Sequence, residues 1–474
     1  MGTGTAAARR PGDGAFERRF RLREHGTNAR TEVLAGLTTF AVMAYIIAVN
    51  PAILGAAGLD LRAVATSTCL VAGVLSIAMG LYTNRAFAMA PGLGLNAIVA
   101  FNLVGQMGLT PAEAMGVVVV EGLLITVLVL VGVRKVVMDV VPPALARAIS
   151  VGIGFFILFI GLRNAGVITF SPGQTGNVDG LLSLTPLDSG PILVAMIGLL
   201  VTVVLLARGV SAAILIGIVV ATLAAFVIPG AAAGLPAEPF AGPDFSLVGQ
   251  FSLGFFAKLG LLTATLAVVS FMLSDFFDTM GTLIGVGAEA GYLDKAGNLA
   301  DAQKPLLIDS LGAVAGGAVS ASSATSYIES AAGVAAGGRT GLVSVVTGAL
   351  FLLALPFVAL VTAIPTAATA PALIVVGVLM VGVLAEGDRT VTSRERPRST
   401  IDFRSLDEAL PATLTMLVMP LTFSITNGIG AGFVSYVLVK LAKGEGRRVH
   451  PALYAVAAAF LLYFLRWALF GAQF

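Results

Sequence analysis

Apolar residues run along this chain in blocks separated by short polar breaks. Most blocks are about 20 residues long, the length that crosses a bilayer as helix. They fall at 33–56, 63–82, 86–105, 112–132, 143–162, 190–207, 210–229, 255–287, 306–320, 323–337, 340–360, 367–384, 411–441 and 451–470. The pattern predicts an all-α polytopic membrane protein with about 14 transmembrane segments. Block 411–441 reads two ways, because Thr426, Asn427 and Gly428 split it. It is one kinked span or two short ones, and the count of 14 takes it as one. Residues 402–410 could form a short interfacial helix before Pro411.

Two blocks are poor helices at one end. Segment three contains Ala86–Asn96 (AFAMAPGLGLN), and segment ten contains Ser320–Gly333 (SASSATSYIESAAG). Each opens on an extended stretch and continues as a short helix. Pro91 forces Ala90 away from helical backbone, and Gly92 and Gly94 loosen the turn. Segments five and twelve echo one another through Pro142 and Pro143, and through Pro365 and Pro371. With 7 segments in each half, a repeat has to be inverted across the membrane. Broken segments at matching places in two halves point to a transporter site between them.

Composition closes off other classes. Charged residues are 11% of the chain, against about 25% in soluble domains. Arg9, Arg10, Arg18, Arg19, Arg21, Arg23 and Arg30 form a basic N-terminal tail with no cleavable signal pattern. That tail is expected in the cytoplasm of a multi-pass plasma-membrane protein. Arg85, Arg134, Lys135, Arg208, Lys295, Lys304, Arg339 and the arginines of 385–410 follow even-numbered segments, as a basic-inside rule requires. Asp60, Asp179, Asp188, Glu238 and Asp244 lie on the opposite loops. Lys440, Lys443, Arg447 and Arg448 break the rule unless 411–441 is two spans. Cys69 is the sole cysteine, and His25 and His450 are peripheral, so no metal or cofactor is expected. The net charge of +2 suggests no nucleic acid. No nucleophile elbow or phosphate-binding loop occurs, so no enzyme is expected.

The candidate chemistry is acidic. Asp275 and Asp278 sit three apart on one face of segment eight, and Glu329 follows the extended stretch of segment ten. Intramembrane carboxylates are costly and mark ion or substrate paths. Glu121 in segment four reads more simply as a packing contact. Asn96 lies one turn past the Pro91–Gly92 break, and its amide both donates and accepts, which suits a planar heterocycle. Gly92, Gly94 and Gly333 let backbone approach such a ring, though glycines also serve helix packing. Phe276, Phe277 and Tyr327 offer stacking faces.

Longer stretches carry a family resemblance. Arg30–Phe40 (RTEVLAGLTTF), Met43–Ile47 (MAYII), Asn50–Leu54 (NPAIL), Ala90–Ala97 (APGLGLNA), Asp275–Leu283 (DFFDTMGTL), Ser326–Gly341 (SYIESAAGVAAGGRTG) and Pro420–Ile425 (PLTFSI) stand in order. The chain resembles the azaguanine-type purine permeases, a branch of the nucleobase–cation symporter and nucleobase–ascorbate transporter superfamily, from Glu17 to about Leu465. The resemblance implies import of hypoxanthine, guanine or adenine with protons; its wider alternative is a symporter of uracil, xanthine or another small anion. It also implies 7+7 inverted repeats and a pair of strands from spans three and ten meeting near the midplane. It implies homodimers, too. The implied division is a tail at 1–30, a core domain at 31–132 and 251–360, and a gate domain at 133–250 and 361–474. The family's substrate positions fall on Asn96, Asp275, Asp278 and Glu329. On chemical grounds Glu329 and Asn96 would read the base, with a helix end stabilising Glu329, and Asp275 and Asp278 would carry the proton. Asn427 departs from the family, which usually has Asp there.

Overall fold

The computed structural model describes residues 15–132, 140–171, 181–231, 234–236, 238–294, 299–382 and 401–470. The basic residues Arg9, Arg10, Arg134, Lys135, Lys295, Arg389, Arg394, Arg396 and Arg398, and Asp179, lie outside them.

The first half begins with α1 (Ala15–Phe20), then α2 (Ala29–Met43) and α3 (Ile46–Gly55), two parts of one span. Next come α4 (Leu61–Thr83), β1 (Met89–Pro91) and α5 (Leu93–Ala97), which runs on as a π-helix over Ile98–Gln106. α6 (Pro111–Leu130), α7 (Pro143–Asn164), the hairpin β2 (Ile168–Ser171) and β3 (Leu181–Leu184), α8 (Gly190–Ala207) and α9 (Ala213–Val227) complete it. The second half comprises α10 (Phe255–Ala290), α11 (Gln303–Ala318), β4 (Ala324–Ser326), α12 (Ser330–Ala335) and α13 (Gly341–Leu353). After a 3₁₀ turn at Leu355–Ala363 follow α14 (Thr366–Val381), α15 (Leu406–Thr422), α16 (Ile425–Ala442) and α17 (Pro451–Phe470). Among the described residues 7 helices are long and apolar enough to cross a membrane, or 8 if the pair bent by 64° after Leu353 is one span. The protein is a multi-pass membrane protein.

Local chemistry starts these helices. Asp60 caps α4 by accepting from the Ala63 N–H, and Thr110 and Glu113 form a reciprocal capping box on α6 behind Pro111. Prolines at the first turns of α7 and α8 lose no helical bond.

The packing exchanges between halves. α4 packs on α13 as α11 packs on α6, and α2 packs on α13 as α10 packs on α6. α8 meets α9 and α14 as α15 meets α16 and α7. Two contacts map onto themselves, α7 with α14 and β1 with β4. That exchange is the signature of an inverted repeat. Small residues bring the paired helices together: a side chain on Gly80 would fall 2.3 Å from the Gly341 carbonyl, and one on Gly377 2.6 Å from that of Gly154.

The exchange also assigns the ambiguous block. α15 and α16 are the thirteenth and fourteenth spans, two short helices packed side by side, and α17 falls outside the repeat. The break comes at Phe423 (φ 50°) and Ser424, ahead of the expected Thr426–Gly428, because Ser424 caps α16 by accepting from the Asn427 N–H. Residues from Leu406 are the first turns of α15 rather than a separate interfacial helix; the helix runs on through Pro411. The hairpin returns Lys440 and Lys443 to Asp407, at 2.5 and 2.7 Å, so the discordant basic loop lies at the same end as residue 407.

Other contacts gather the basic loops as the charge pattern requires. Arg19 donates to the Leu81 carbonyl, Arg85 to that of Ala300, and the Tyr292 hydroxyl to that of Arg339. Elsewhere, Arg62 pairs with Asp244 at 3.6 Å and Lys258 with Glu113 at 3.4 Å.

Candidate substrate site

The site is framed by two short antiparallel strands that meet inside the helical body. Met89 faces Ser326, Ala90 faces Thr325 and Pro91 faces Ala324. Pro91 has no N–H to give, and the next donor, Gly92, reaches the Ser323 carbonyl at 2.9 Å. At the other end the Tyr327 N–H reaches Ala88 at 2.9 Å. Away from water every strand edge needs a partner. Ser76 supplies one to Met89 and Ser330 supplies one to Ala88. The Tyr327 hydroxyl ties the frame by donating to the Pro91 carbonyl at 2.5 Å. The strand pairing agrees with what the family resemblance implies.

Carboxyl groups line this crossing. Asp275 on α10 is buried and accepts from the Ser323 hydroxyl at 2.6 Å. Asp278, one turn on, is half-buried. Glu329 sits directly before α12 and accepts from the Tyr45 hydroxyl at 2.5 Å. α12 is only 6 residues long, so a helix end is a weak stabiliser here, and the phenol takes that role. Asp278 lies within electrostatic range of Asp309 and Glu329, and Asp275 within range of Asp309, Asp278 and Glu121.

Asp309 on α11 is missing from the sequence-based set. It accepts from the Thr279 hydroxyl at 2.6 Å and from the Ser326 N–H and hydroxyl at 2.7 and 2.9 Å, fixing β4 against α10. Its signal is a lone carboxylate inside segment 306–320. Tyr45 is missing as well, and nothing local in the sequence marks it, since its partner lies 284 residues away.

Asn96 is the sharpest anomaly. It is fully buried, and neither its side-chain oxygen nor its nitrogen has a partner. Each such atom costs about 1–3 kcal/mol. Gly92 is the residue before α5, and a side chain there would fall 2.9 Å from Leu95 and 3.0 Å from Thr325. Gly94 lets α5 approach α7, where Ile153 would be 2.5 Å from an added carbon. Gly333 lets α12 approach α2, where the Thr39 hydroxyl would be 2.1 Å away.

The π-helix after α5 carries Asn102, which donates to the Ser424 hydroxyl at 2.8 Å and accepts from Thr426 at 3.3 Å. These bonds join span three to span fourteen. Asn427 is in the first turn of α16, with its N–H on Ser424.

Inverted repeats crossed by two broken spans, with buried carboxylates where the breaks meet, define a secondary transporter. A permease family model matches residues 30–403, and the chain belongs to that permease family. It is 40% identical over 456 residues to the adenine permease AdeP of Escherichia coli K12, covering 95% of this chain and 96% of AdeP. It is 37% identical over 458 residues to the guanine/hypoxanthine permease PbuG of Bacillus subtilis 168, covering 94% and 98%. Among solved structures, the transmembrane domain of the cyanobacterial bicarbonate transporter BicA superposes with a TM-score of 0.60 at 16% identity, covering 85% of this chain and 97% of that one. SLC26A9 also gives 0.60, at 14% identity, covering 90% and 67%. These two share the fold.

Proposed function

We propose that this chain imports purine bases, namely hypoxanthine, guanine or adenine, together with protons. One observation carries the reading: Asn96, buried and unpaired in both donor and acceptor, on a helix that packs on α10, the bearer of Asp275 and Asp278, in a chain about two-fifths identical to adenine permeases. A purine offers ring nitrogens and exocyclic groups in one plane. Asn96 would meet a mixed donor–acceptor edge, and Glu329 would accept from a ring N–H. A hydrogen bond to a charged group is worth about 1.5–3 kcal/mol. Gly92 and Gly94 would place α5 backbone near the ring, while Tyr327 and Gly333 would hold the frame around it. Asp275 and Asp278 would take up the proton.

The movement we propose is of a gate, residues 133–250 and 361–474, rocking against a core, residues 31–132 and 251–360. The tail at 1–30 would lie in the cytoplasm, and two copies would associate as a homodimer in the plasma membrane. The test is uptake of labelled hypoxanthine into proteoliposomes, with adenine, guanine, uracil, xanthine and bicarbonate as competitors. Competition by purines and collapse of accumulation with a protonophore are expected. Accumulation that follows sodium, or competition by uracil or bicarbonate alone, overturns the reading.

A further inference from the structure

We infer that Glu121 and Asp275 share a single proton, and that Glu121 thereby joins Asp275 in the proton-carrying centre. Glu121 is fully buried on α6, and neither of its oxygens has a hydrogen-bond donor; Asp275 is buried and its Oδ1 also lacks one. α6 packs on α10, and the two carboxyls interact across that contact. Two ionised carboxylates so placed would repel each other, with the Ser323 hydroxyl on Asp275 Oδ2 offsetting only part of their desolvation. One added proton changes that. It makes an O–H on one residue that donates to an oxygen of the other, and two of the three orphaned oxygens are joined in one hydrogen bond. The proton then belongs to the pair.

The charged surroundings favour that reading. α6 packs on α10, on α11 and on the π-helix. The ionisable groups facing the pair from these elements are Asp309 on α11 and Asp278 on α10, both acidic. On α6 itself Glu113 is spent at the helix start, on Thr110 and Lys258. Asp309 already has three short donors, so a further proton is needed least there. Asp278 is half-buried.

Ser323 connects the pair to the base site. Its hydroxyl donates to Asp275 Oδ2, and its carbonyl accepts from Gly92, the residue that starts the helix carrying Asn96. Loading the pair with a proton and seating a base on Asn96 therefore act on the two ends of one residue.

This inference rests on the proton-symport reading, and the experiment separates the two. Proteoliposomes with an internal pH dye receive hypoxanthine, and proton entry and base entry are followed together for wild type, Glu121→Gln and Glu121→Asp. Wild type should move protons inward with the base. E121Q should still bind and exchange hypoxanthine, but its uphill accumulation should fall at least about 10-fold and its proton signal should vanish. E121D keeps a carboxyl and should restore part of both. Infrared difference spectra on base binding give a second readout: the protonated-carboxyl C=O band of wild type should be absent in E121Q and shifted in E121D. If wild type moves base without protons, the symport reading itself fails. If E121Q co-transports protons like wild type, or E121D leaves the band unshifted, the acid pair is wrong.

Discussion

The Tyr45 hydroxyl lies 2.5 Å from Glu329 Oε1, joining the junction of α2 and α3 in the first span to the break in the tenth. Tyr45 is fully buried, so it has no solvent to turn to. Its bond fixes one carboxylate oxygen and leaves the other as an acceptor. Tyr45→Phe should keep the fold and let the Glu329 side chain swing. Binding of hypoxanthine should weaken by about 10-fold, the effect of roughly 1.4 kcal/mol. Calorimetric titration of the purified variant checks this, and an unchanged affinity would show that Glu329 needs no such anchor.

Ser322 is a strained point before β4. Its φ is 71°, in the left-handed region, and its buried hydroxyl has no partner. Glycine adopts that backbone freely and removes the hydroxyl. Ser322→Gly should stabilise the protein by about 1 kcal/mol or more. The check is thermal unfolding in detergent, where a lower midpoint than wild type would contradict the strain argument.

The hairpin of α15 and α16 is latched at its open end. Lys440 bridges Asp407 at 2.5 Å and Glu445 at 2.8 Å. The Lys440 ammonium holds the Glu445 carboxyl below its usual range. A depressed carboxyl contributes stability above its unfolded value, near pH 4.3, and loses it as pH falls through the folded value. The difference in melting temperature between wild type and Glu445→Gln should therefore be present at neutral pH and shrink below about pH 4. A difference that grows on acidification would reverse the sign.

Asn102 and Thr426 bring the third and fourteenth spans within 3.3 Å through their side chains. If the gate moves against the core, a disulfide between cysteines at these two positions should stop transport and reduction should restore it. Cys69 is buried and would be replaced by serine in the background. A cross-link within the gate, between cysteines at Asp407 and Lys440, should leave uptake intact. Full transport with the 102–426 link closed rules out the rocking motion.

How much of this is legible in the sequence follows from the range of each interaction. The broken spans are local: Pro91 and the serine-rich stretch before Tyr327 write the strands directly into the chain. Asp275, Asp278 and Glu329 stand out because a carboxylate in an apolar block is rare, and the same criterion reaches Asp309. Block 411–441 resists, since the residue that ends the helix is Phe423 in a left-handed conformation, which no composition rule marks. The Asp that the resemblance implies at 427 also gains a local meaning here. It would sit in the first turn of α16, where a negative charge is favourable. Tyr45 and Glu121 gain their significance only from partners more than 150 residues away, and such pairs appear once the chain is folded.

The role of Glu329 is tested most directly by hypoxanthine binding to purified wild type and Glu329→Gln, with Asp275→Asn alongside. The glutamine keeps the shape, removes the charge and adds a donor where a purine N–H needs an acceptor. Affinity for E329Q should fall by about 10-fold or more, while D275N should keep measurable binding and exchange and lose uphill accumulation. If E329Q binds hypoxanthine as tightly as wild type and D275N alone abolishes binding, the base is not read at Glu329 and the division between recognition and proton coupling is wrong.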